Sequence, residues 1–162
     1  MRLISLREQQ THLKDCVEMY CGFLQEQELK VGAMKKYSQE KAGCEKLIQE
    51  RLYDSDRYIF LFEKGRQIVG FAEVMLEELC FPDEDLPETC VKVVAFYIVP
   101  QARKQKLGSQ FFKLVRDWGR EQKAALIEAE VSSYPVSINQ FLEHQGLELV
   151  GAGARNCYRA FI

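Results

Sequence analysis

The chain has 162 residues, 47% of them hydrophobic and 28% charged, and its formal net charge is −2. This length fits a single domain over residues 1–162, and the composition is that of an ordinary soluble globular protein. The balanced charge excludes a whole-protein attraction to nucleic acid or to an anionic membrane, and the apolar runs are too short to span a bilayer.

The first residues and the cysteines indicate a protein of the cytoplasm. The N-terminus turns polar at Ser5 and Arg7, before the apolar core of a signal peptide could form. The six cysteines and two histidines contain no Cys-x-x-Cys pair and no zinc-ligand spacing, so we predict reduced, buried thiols and no metal. Cys80 and Cys90 flank one loop and could meet, a question that the sequence leaves open.

The first half of the chain predicts a strand, two helices and a hairpin. A weak alternation over Arg2–Leu6 favours a strand. Apolar residues at helical spacing predict a first helix from Thr11 to about Gln27, and Ser38 is a good N-cap for a second helix that reaches Leu52. Two β-rich runs around a glycine turn, typical of a hairpin, follow at Tyr58–Glu63, Lys64–Arg66 and Gln67–Met75.

The second half begins with an acidic, proline-bearing loop over residues 80–89. An unbroken apolar run over Val93–Val99 predicts a buried strand, which ends at Pro100 because proline cannot donate to a ladder. The remaining predicted elements alternate between helices and strands: a helix over Leu107–Gln122, a strand over Ala124–Val131, a helix from Pro135 to Gly146, and a closing strand pair over Leu147–Val150 and Asn156–Ile162.

A basic loop joins the buried strand to the helix that starts at Leu107. It carries Arg103, Lys104 and Lys106 and ends at Gly108. A helix N-terminus presents free N–H groups and the positive end of its dipole, so it attracts anions. Three cations beside such a terminus favour a phosphate as the anion.

The strand, the proline, the Arg-x-x-x-x-Gly loop and the helix together resemble the acyl-CoA-binding motif of the GNAT superfamily of N-acetyltransferases. That motif is usually written Arg/Gln-x-x-Gly-x-Gly/Ala and falls on Arg103, Lys106 and Gly108. Lys106 stands where the family usually has its first glycine, and a lysine fits there only at negative φ or with the strain offset elsewhere. The order of the elements also matches the family, which implies an α/β fold: a central mixed sheet of about seven strands flanked by about four helices.

The resemblance implies acetyl-CoA as the cosubstrate and a set of residues that bind it. Backbone groups of Tyr97, Ile98 and Val99 would bond the pantetheine arm. Asn139 would reach the pantetheine or the sulfur, and an interpretation of Asn139 as a solvated helix residue is equally open. The pyrophosphate would lie on the loop residues Arg103, Lys104, Gln105, Lys106, Leu107, Gly108 and Ser109.

Acetylation of an amine requires a base, because a lysine-like amine has a solution pKa of about 10.4. Glu130 lies where family members often have a glutamate base, near the end of the strand predicted over Ala124–Val131. Glu128 shares its face of the strand, and two carboxylates on one face can raise one pKa towards the range useful for a base. The alternative is a solvated or ion-paired sheet edge.

The tyrosine that many family members use as the acid is absent. Leu142 occupies its position, four residues before the glycine that ends the last helix. Tyr134, which follows the strand of Glu130, is the preferred substitute. Tyr97 and Tyr158 are alternatives, and the thiolate could also leave unaided.

The predicted function is transfer of an acetyl group from acetyl-CoA to a primary amine of a small molecule or peptide. Lys106 and Leu142 keep two alternatives open: a non-catalytic acyl-CoA-binding or regulatory module, and an interaction protein that keeps the fold without the ligand. The basic cluster is local, which disfavours nucleic-acid binding, and family habit suggests a homodimer. Acidic residues before the buried strand would steer a cationic acceptor unless they only form a solvated loop: Glu77, Glu78, Asp83, Glu84, Asp85 and Glu88.

Overall fold

The computed structural model describes residues 2–31, 41–78, 89–132 and 136–162. The strands in these ranges are β1 (Arg2–Ser5), β2 (Arg57–Lys64), β3 (Gln67–Glu78), β4 (Thr89–Ile98), β5 (Leu126–Ser132), β6 (Glu148–Gly151) and β7 (Arg155–Phe161). The helices are α1 (Leu13–Val31), α2 (Lys41–Leu52), α3 (Leu107–Glu121) and α4 (Val136–His144), with short 3₁₀ turns at Gln10–His12 and Pro100–Ala102.

The strands form one mixed sheet in the order β1-β2-β3-β4-β5-β7-β6. β1 pairs with β2 antiparallel, β4 with β5 parallel, and β7 lies antiparallel to both β5 and β6. The parallel pair is joined by the crossover helix α3, as parallel neighbours require. The predicted α/β architecture with a seven-stranded mixed sheet and four helices is therefore confirmed over the described ranges.

Two boundaries differ by four residues from the sequence prediction. α1 runs four residues past the predicted end at Gln27, to Val31. β4 begins at Thr89 rather than Val93, and Cys90–Val93 pair in register with Leu126–Ala129 of β5. Pairing with β5 thus extends β4 towards its N-terminus, beyond the apolar run from which the strand was predicted. Ser38, the predicted N-cap of the second helix, lies outside the described residues, as does most of the predicted acidic loop.

The chain divides into two compact units, each with its own apolar core. The first unit comprises Met1–Glu73 and Ala95–Gly108, and its core joins residues of α1 and α2 to β1–β4, including Val17, Ile48 and Phe71. The second unit comprises Val74–Val94 and Ser109–Ile162, and Phe111, Ile127 and Tyr158 are among its fully buried side chains. The single-domain interpretation of residues 1–162 stays a prediction.

Three further observations concern predictions made from composition. Within the described ranges, no helix combines the length and the apolar character needed to cross a membrane. The same part of the chain contains no group of three or more His, Cys, Asp or Glu side chains that could hold a metal ion. Cys90 is a free, buried thiol, while Cys80 lies outside the described residues.

Candidate active site

The segment after β4 is folded by short-range backbone bonds. Pro100 starts a 3₁₀ turn in which the Ala102 N–H donates to the Val99 carbonyl over 2.9 Å and the Arg103 N–H donates to the Pro100 carbonyl over 3.2 Å. α3 then begins at Leu107, whose side chain is buried. The intervening residues Arg103–Gly108, hereafter the basic loop, are thereby held between a turn and a helix N-terminus.

The backbone dihedral angle φ changes sign along the basic loop. Arg103 has a φ of −69°, whereas Lys104 and Lys106 have φ values of +63° and +59°. Left-handed residues of this kind turn the backbone sharply, and the N-terminus of α3 adds unpaired N–H donors that attract an anion. Lys106, at the position where the GNAT motif usually has a glycine, therefore has a left-handed backbone and bears the strain of a side chain there.

Arg103 is engaged on three sides. Its Nε donates to the Ile98 carbonyl over 2.7 Å, its Nη2 donates to the Glu26 carboxylate over 2.7 Å, and its guanidinium lies 5.2 Å from the ring centroid of Tyr97. The Tyr97 hydroxyl also donates to Glu26, over 3.1 Å. Burial, reinforced by Glu26, raises the pKa of Tyr97 above its ordinary value, so this phenol stays protonated at neutral pH.

Lys104 and Lys106 differ from Arg103 because both are exposed and neither has an ion-pair partner among the described residues. Two cations without a carboxylate partner, just before the N-terminus of α3, make the basic loop attractive to a phosphate.

Tyr97, Ile98 and Val99 are predicted to bond a pantetheine arm, but their backbone groups point in different directions. The Val99 N–H donates to the Val69 carbonyl of β3 over 3.0 Å. A Cβ at Gly70 would lie only 2.5 Å from the Tyr97 carbonyl oxygen, so β3 approaches Tyr97 closely as well. Because strand backbone groups alternate in direction, Ile98 faces away from β3, and its carbonyl is the one that holds Arg103.

In the second unit, Ser109 and Asn139 both lie in hydrogen-bonded networks. The Gln145 amide donates to the Ser109 hydroxyl over 3.0 Å. Asn139 is buried, and its Oδ1 accepts from the Asn156 amide over 3.0 Å and from the Tyr158 hydroxyl over 3.1 Å. The interpretation of Asn139 as a solvated helix residue is therefore wrong.

Glu128 and Glu130 share a face of β5, and each is paired with an arginine of β7. Two nitrogens of Arg159 donate to Glu128, over 2.6 and 3.0 Å. The Nε of Arg155 lies 3.0 Å from Glu130. The side chain of Glu128 is 15% exposed and that of Glu130 is 39% exposed, so Glu130 is the carboxylate that solvent and small solutes reach more readily.

The three tyrosines considered as acids have different surroundings. Tyr134 lies outside the described residues. Tyr158 is buried, as is Leu142 of α4, and the Tyr158 hydroxyl lies 3.4 Å from the carboxylate of the exposed Glu143. Burial, with a further contribution from Glu143, raises the pKa of Tyr158. Tyr97 is tied to Glu26 as described above.

Most of the predicted acidic cluster is not described, but Glu77 and Glu78 are. Glu77 lies 3.5 Å from the Nζ of Lys92, and Glu78 is exposed at the end of β3. Asp83, Glu84, Asp85 and Glu88 lie outside the described residues.

Sequence reasoning missed two acidic residues of the first unit. The sequence places Glu26 in the first helix without a function, whereas the structure shows that its carboxylate accepts a hydrogen bond from Arg103. Glu73 lies in the core of the unit with no exposed surface, where Arg51 and Arg57 both donate to it. The available signal for Glu73 was a lone carboxylate inside the apolar run of β3.

One protein-family model matches most of the chain. The model of the acetyltransferase (GNAT) family matches residues 18–146, which include the basic loop, β5 and all of the first unit except its first 17 residues. The chain belongs to this family. A search of curated proteins finds no match to this acetyltransferase-family sequence.

Solved structures resemble the fold of this GNAT-family protein at low sequence identity. The PaiA N-acetyltransferase of Thermoplasma acidophilum, determined with coenzyme A, aligns over 100% of both chains with a TM-score of 0.76 and 10% identity. The aminoglycoside 6'-N-acetyltransferase AAC(6')-IG of Acinetobacter haemolyticus aligns over 94% of both chains, with a TM-score of 0.71 and 12% identity. The ribosomal-protein-alanine N-acetyltransferase of Brucella melitensis aligns over 100% of both chains, with a TM-score of 0.69 and 14% identity.

Proposed function

We propose that this protein transfers an acetyl group from acetyl-CoA to a primary amine of a small molecule or peptide. The observation that carries the proposal is the basic loop, which combines an alternating backbone with two unpaired lysines at the start of α3 in a chain of the GNAT family. This loop fits a pyrophosphate, because backbone donors and lysines supply the charge complement that a phosphate anion needs. Lys104, Gln105, Lys106, Leu107 and Gly108 would hold that group.

The other proposed contacts follow the described geometry. Ile98 would offer its backbone N–H, which faces away from β3, while its carbonyl holds Arg103 and the backbones of Tyr97 and Val99 face β3. Arg103 would hold the end of β4 and α1 beside the loop. Ser109 and Asn139 stay predicted contacts of the cosubstrate.

When bound, acetyl-CoA supplies an activated thioester carbonyl. The acceptor amine must be neutral to attack that carbonyl, and we assign removal of its proton to the Glu130 carboxylate, directly or through one water. Glu130 is exposed enough to meet an amine, and Arg155 fixes the direction of its side chain. Backbone N–H groups would stabilise the oxyanion of the tetrahedral intermediate.

The departing thiolate is the least demanding part of the reaction, because a thiol has a pKa of only about 8.5. Tyr134 stays the proposed acid. The burial of Leu142 shows that its helix position is used for packing.

The class of acceptor is inferred from chemistry and from the similar structures. Two of these proteins are named for an aminoglycoside and for a ribosomal-protein alanine, so proteins of this fold include both small-molecule and protein acetyltransferases. Exposed Glu78 and the acidic residues that follow it would favour a cationic acceptor here. Residence in the cytoplasm and a homodimer stay predictions.

A non-catalytic acyl-CoA-binding module is the second candidate. It is favoured by the strained Lys106 at the usual glycine position and by Leu142 at the usual tyrosine position. Such a module would bind the cosubstrate but acetylate no amine.

Calorimetric titration with acetyl-CoA and with CoA tests the proposal. We expect one-to-one binding in the micromolar range, followed by turnover on a panel that contains polyamines, aminoglycosides and N-terminal peptides. Gly108→Val serves as the control, because a branched side chain at the second residue of α3 blocks close approach to the loop. Binding without turnover on any amine would favour the module, and no binding by the folded protein would refute both candidates.

Two substitutions of Lys106 distinguish the effect of its backbone strain on stability from the effect of its positive charge. Lys106→Gly should raise the free energy of unfolding by about 1 kcal/mol, because glycine adopts a φ of +59° without the cost of a side chain. Lys106→Ala keeps the strained Cβ and removes the same charge, so its stability should stay near that of the parent. Denaturant unfolding measures both.

The same pair of variants reports on the loop as a ligand site. If Lys106 binds phosphate, both variants should weaken acetyl-CoA binding several-fold, with a shallower salt dependence. Tighter binding by Lys106→Gly alone would mean that the lysine obstructs the loop, contrary to the proposal.

A further inference from the structure

A groove of about 920 Å³ lies in the first unit, and part of its lining, including Tyr97 and Val99, was assigned above to the cosubstrate site. The first half of α1 forms one wall, and the turn between β2 and β3 forms the other. The floor is apolar and contains Met19, Val69 and Tyr97. Gln105 and Leu107 also line the groove, so it reaches the basic loop.

The turn of the β2–β3 hairpin supplies two cations to this groove. Lys64 and Arg66 are exposed, and no carboxylate of the described residues forms an ion pair with either. The Nζ of Lys64 donates to the Gln105 side chain over 3.0 Å. This contact shows that the hairpin turn lies beside the basic loop, so the cations of the two segments belong to one continuous surface.

The hairpin turn holds Arg66 in an unusual conformation. Gly65 and Arg66 have φ values of +57° and +70°, which is the pair of positive values that a two-residue type I′ turn requires. Asparagine or glycine normally occupies the second position, and an arginine there carries strain that the turn itself does not need. An observed strain of this kind points to a role for the side chain.

The opposite wall of the groove is acidic, but its carboxylates are occupied. Asp15 lies 3.2 Å from the His12 ring, and Glu18 accepts from Lys41 over 2.9 Å. The groove therefore offers unpaired positive charge on the hairpin side, an apolar floor, and hydrogen-bond acceptors on the α1 side. A ligand that fits has a phosphate at one end and a flat ring with an amino group at the other.

We propose that Lys64 and Arg66 bind the ribose 3'-phosphate of acetyl-CoA, with the adenine over the floor of the groove. This inference rests on the proposed function, since it takes the basic loop as the site of the pyrophosphate. The 3'-phosphate lies one ribose away from that pyrophosphate, and the Lys64–Gln105 bond places the hairpin turn at the loop. The hairpin thus gives the protein its preference for CoA over the dephosphorylated form.

The test compares the affinities of acetyl-CoA and acetyl-3'-dephospho-CoA by calorimetry. The parent should bind acetyl-CoA about 10- to 100-fold more tightly, as expected for charge-assisted bonds from two cations. In the double variant Lys64→Ala, Arg66→Ala the ratio should fall to within about threefold of unity, while the affinity for the dephosphorylated ligand stays constant.

Two controls isolate the hairpin cations. Lys46→Ala with Arg120→Ala removes the same net charge elsewhere and should leave the ratio unchanged. Gln105→Ala removes the partner of Lys64 but keeps both cations, so discrimination should persist. Adenosine 3',5'-bisphosphate should compete with acetyl-CoA more strongly than 5'-AMP in the parent and equally in the double variant.

The outcomes are distinct. An unchanged ratio in the double variant, or a parent that does not discriminate, overturns the assignment of Lys64 and Arg66 while leaving the proposed function intact. Failure of the parent to bind either ligand overturns the proposed function, and this assignment with it.

Discussion

Replacing Glu73 by alanine should lower the free energy of unfolding by about 3–5 kcal/mol. Glu73 has no exposed surface, and it accepts hydrogen bonds from Arg51 and Arg57, whose side chains are 23% and 19% exposed. Removing the carboxylate leaves two largely buried guanidinium groups without their anion, and it adds a cavity in the core of the first unit. Although burial opposes its charge, the hydrogen bond to Glu73 raises the pKa of Arg57, which shows how tightly the pair is coupled.

The Glu73 network extends beyond one carboxylate. Arg51 also donates to the Tyr20 hydroxyl, and Arg7 donates to the carbonyls of Asp54 and Arg57 over 2.5 and 2.8 Å. α1, α2 and the start of β2 are therefore joined through polar groups. We expect the loss of Glu73 to loosen these elements together.

Denaturant unfolding of three variants tests the role of Glu73. Glu63→Ala is the control, because its partner Arg2 is 58% exposed, so this solvated pair should contribute less than about 1 kcal/mol. A triple variant, Glu73→Met with Arg51→Met and Arg57→Met, should recover much of the stability that Glu73→Ala loses, since it buries no unpaired charge. Equal losses in Glu63→Ala and Glu73→Ala would contradict the buried network.

Glu130→Gln should lower kcat by about 10²- to 10⁴-fold, the usual contribution of a general base, and leave the Kd for acetyl-CoA nearly unchanged. Glutamine keeps the size of the side chain and can still accept from Arg155, but it cannot take a proton from the acceptor amine. Steady-state kinetics with a productive amine, together with calorimetry, measure the two quantities separately.

Glu128→Gln is the matched control for this experiment. Glu128 lies on the same face of β5, and it is also paired with an arginine of β7. We expect its kcat to fall by less than about tenfold, because the carboxylate is more buried and bonded twice to Arg159. A Glu130→Gln variant with full activity would remove Glu130 from the mechanism and turn attention to another base.

The fold was predictable because local patterns agreed with one another along the chain. The apolar run that ends at Pro100 and the helical spacing after Leu107 fixed the centre of the sheet and its crossover. The extension of β4 back to Thr89 was not predictable, since Lys92 interrupts the apolar pattern and only pairing with β5 makes those residues a strand. Local propensity cannot report a partner that lies 36 residues further on, as Leu126 does from Cys90.

The sequence predicts the basic loop of the candidate site but not the long-range hydrogen bonds and ion pairs around it. Its cations and Gly108 stand together in the sequence, whereas Glu26 lies 77 residues before Arg103, which it holds. The sign of φ at Lys106 was also undecided from the sequence, because a lysine gives no indication of left-handed backbone. Glu128 and Glu130 were placed on one face by strand periodicity, but their arginine partners depend on the register of β7.

Each compact unit contains a buried cysteine whose labelling rate can report local opening of that unit. Cys16 in the first unit and Cys90 in the second are 0% and 2% exposed, and burial raises the pKa of each to about 12. Only a thiolate reacts with a thiol reagent, so neither sulfur is modified while its surroundings stay closed. The rate at which each is labelled in the native protein therefore reports the free energy of opening around it, and a ligand that stabilises one unit slows one rate selectively.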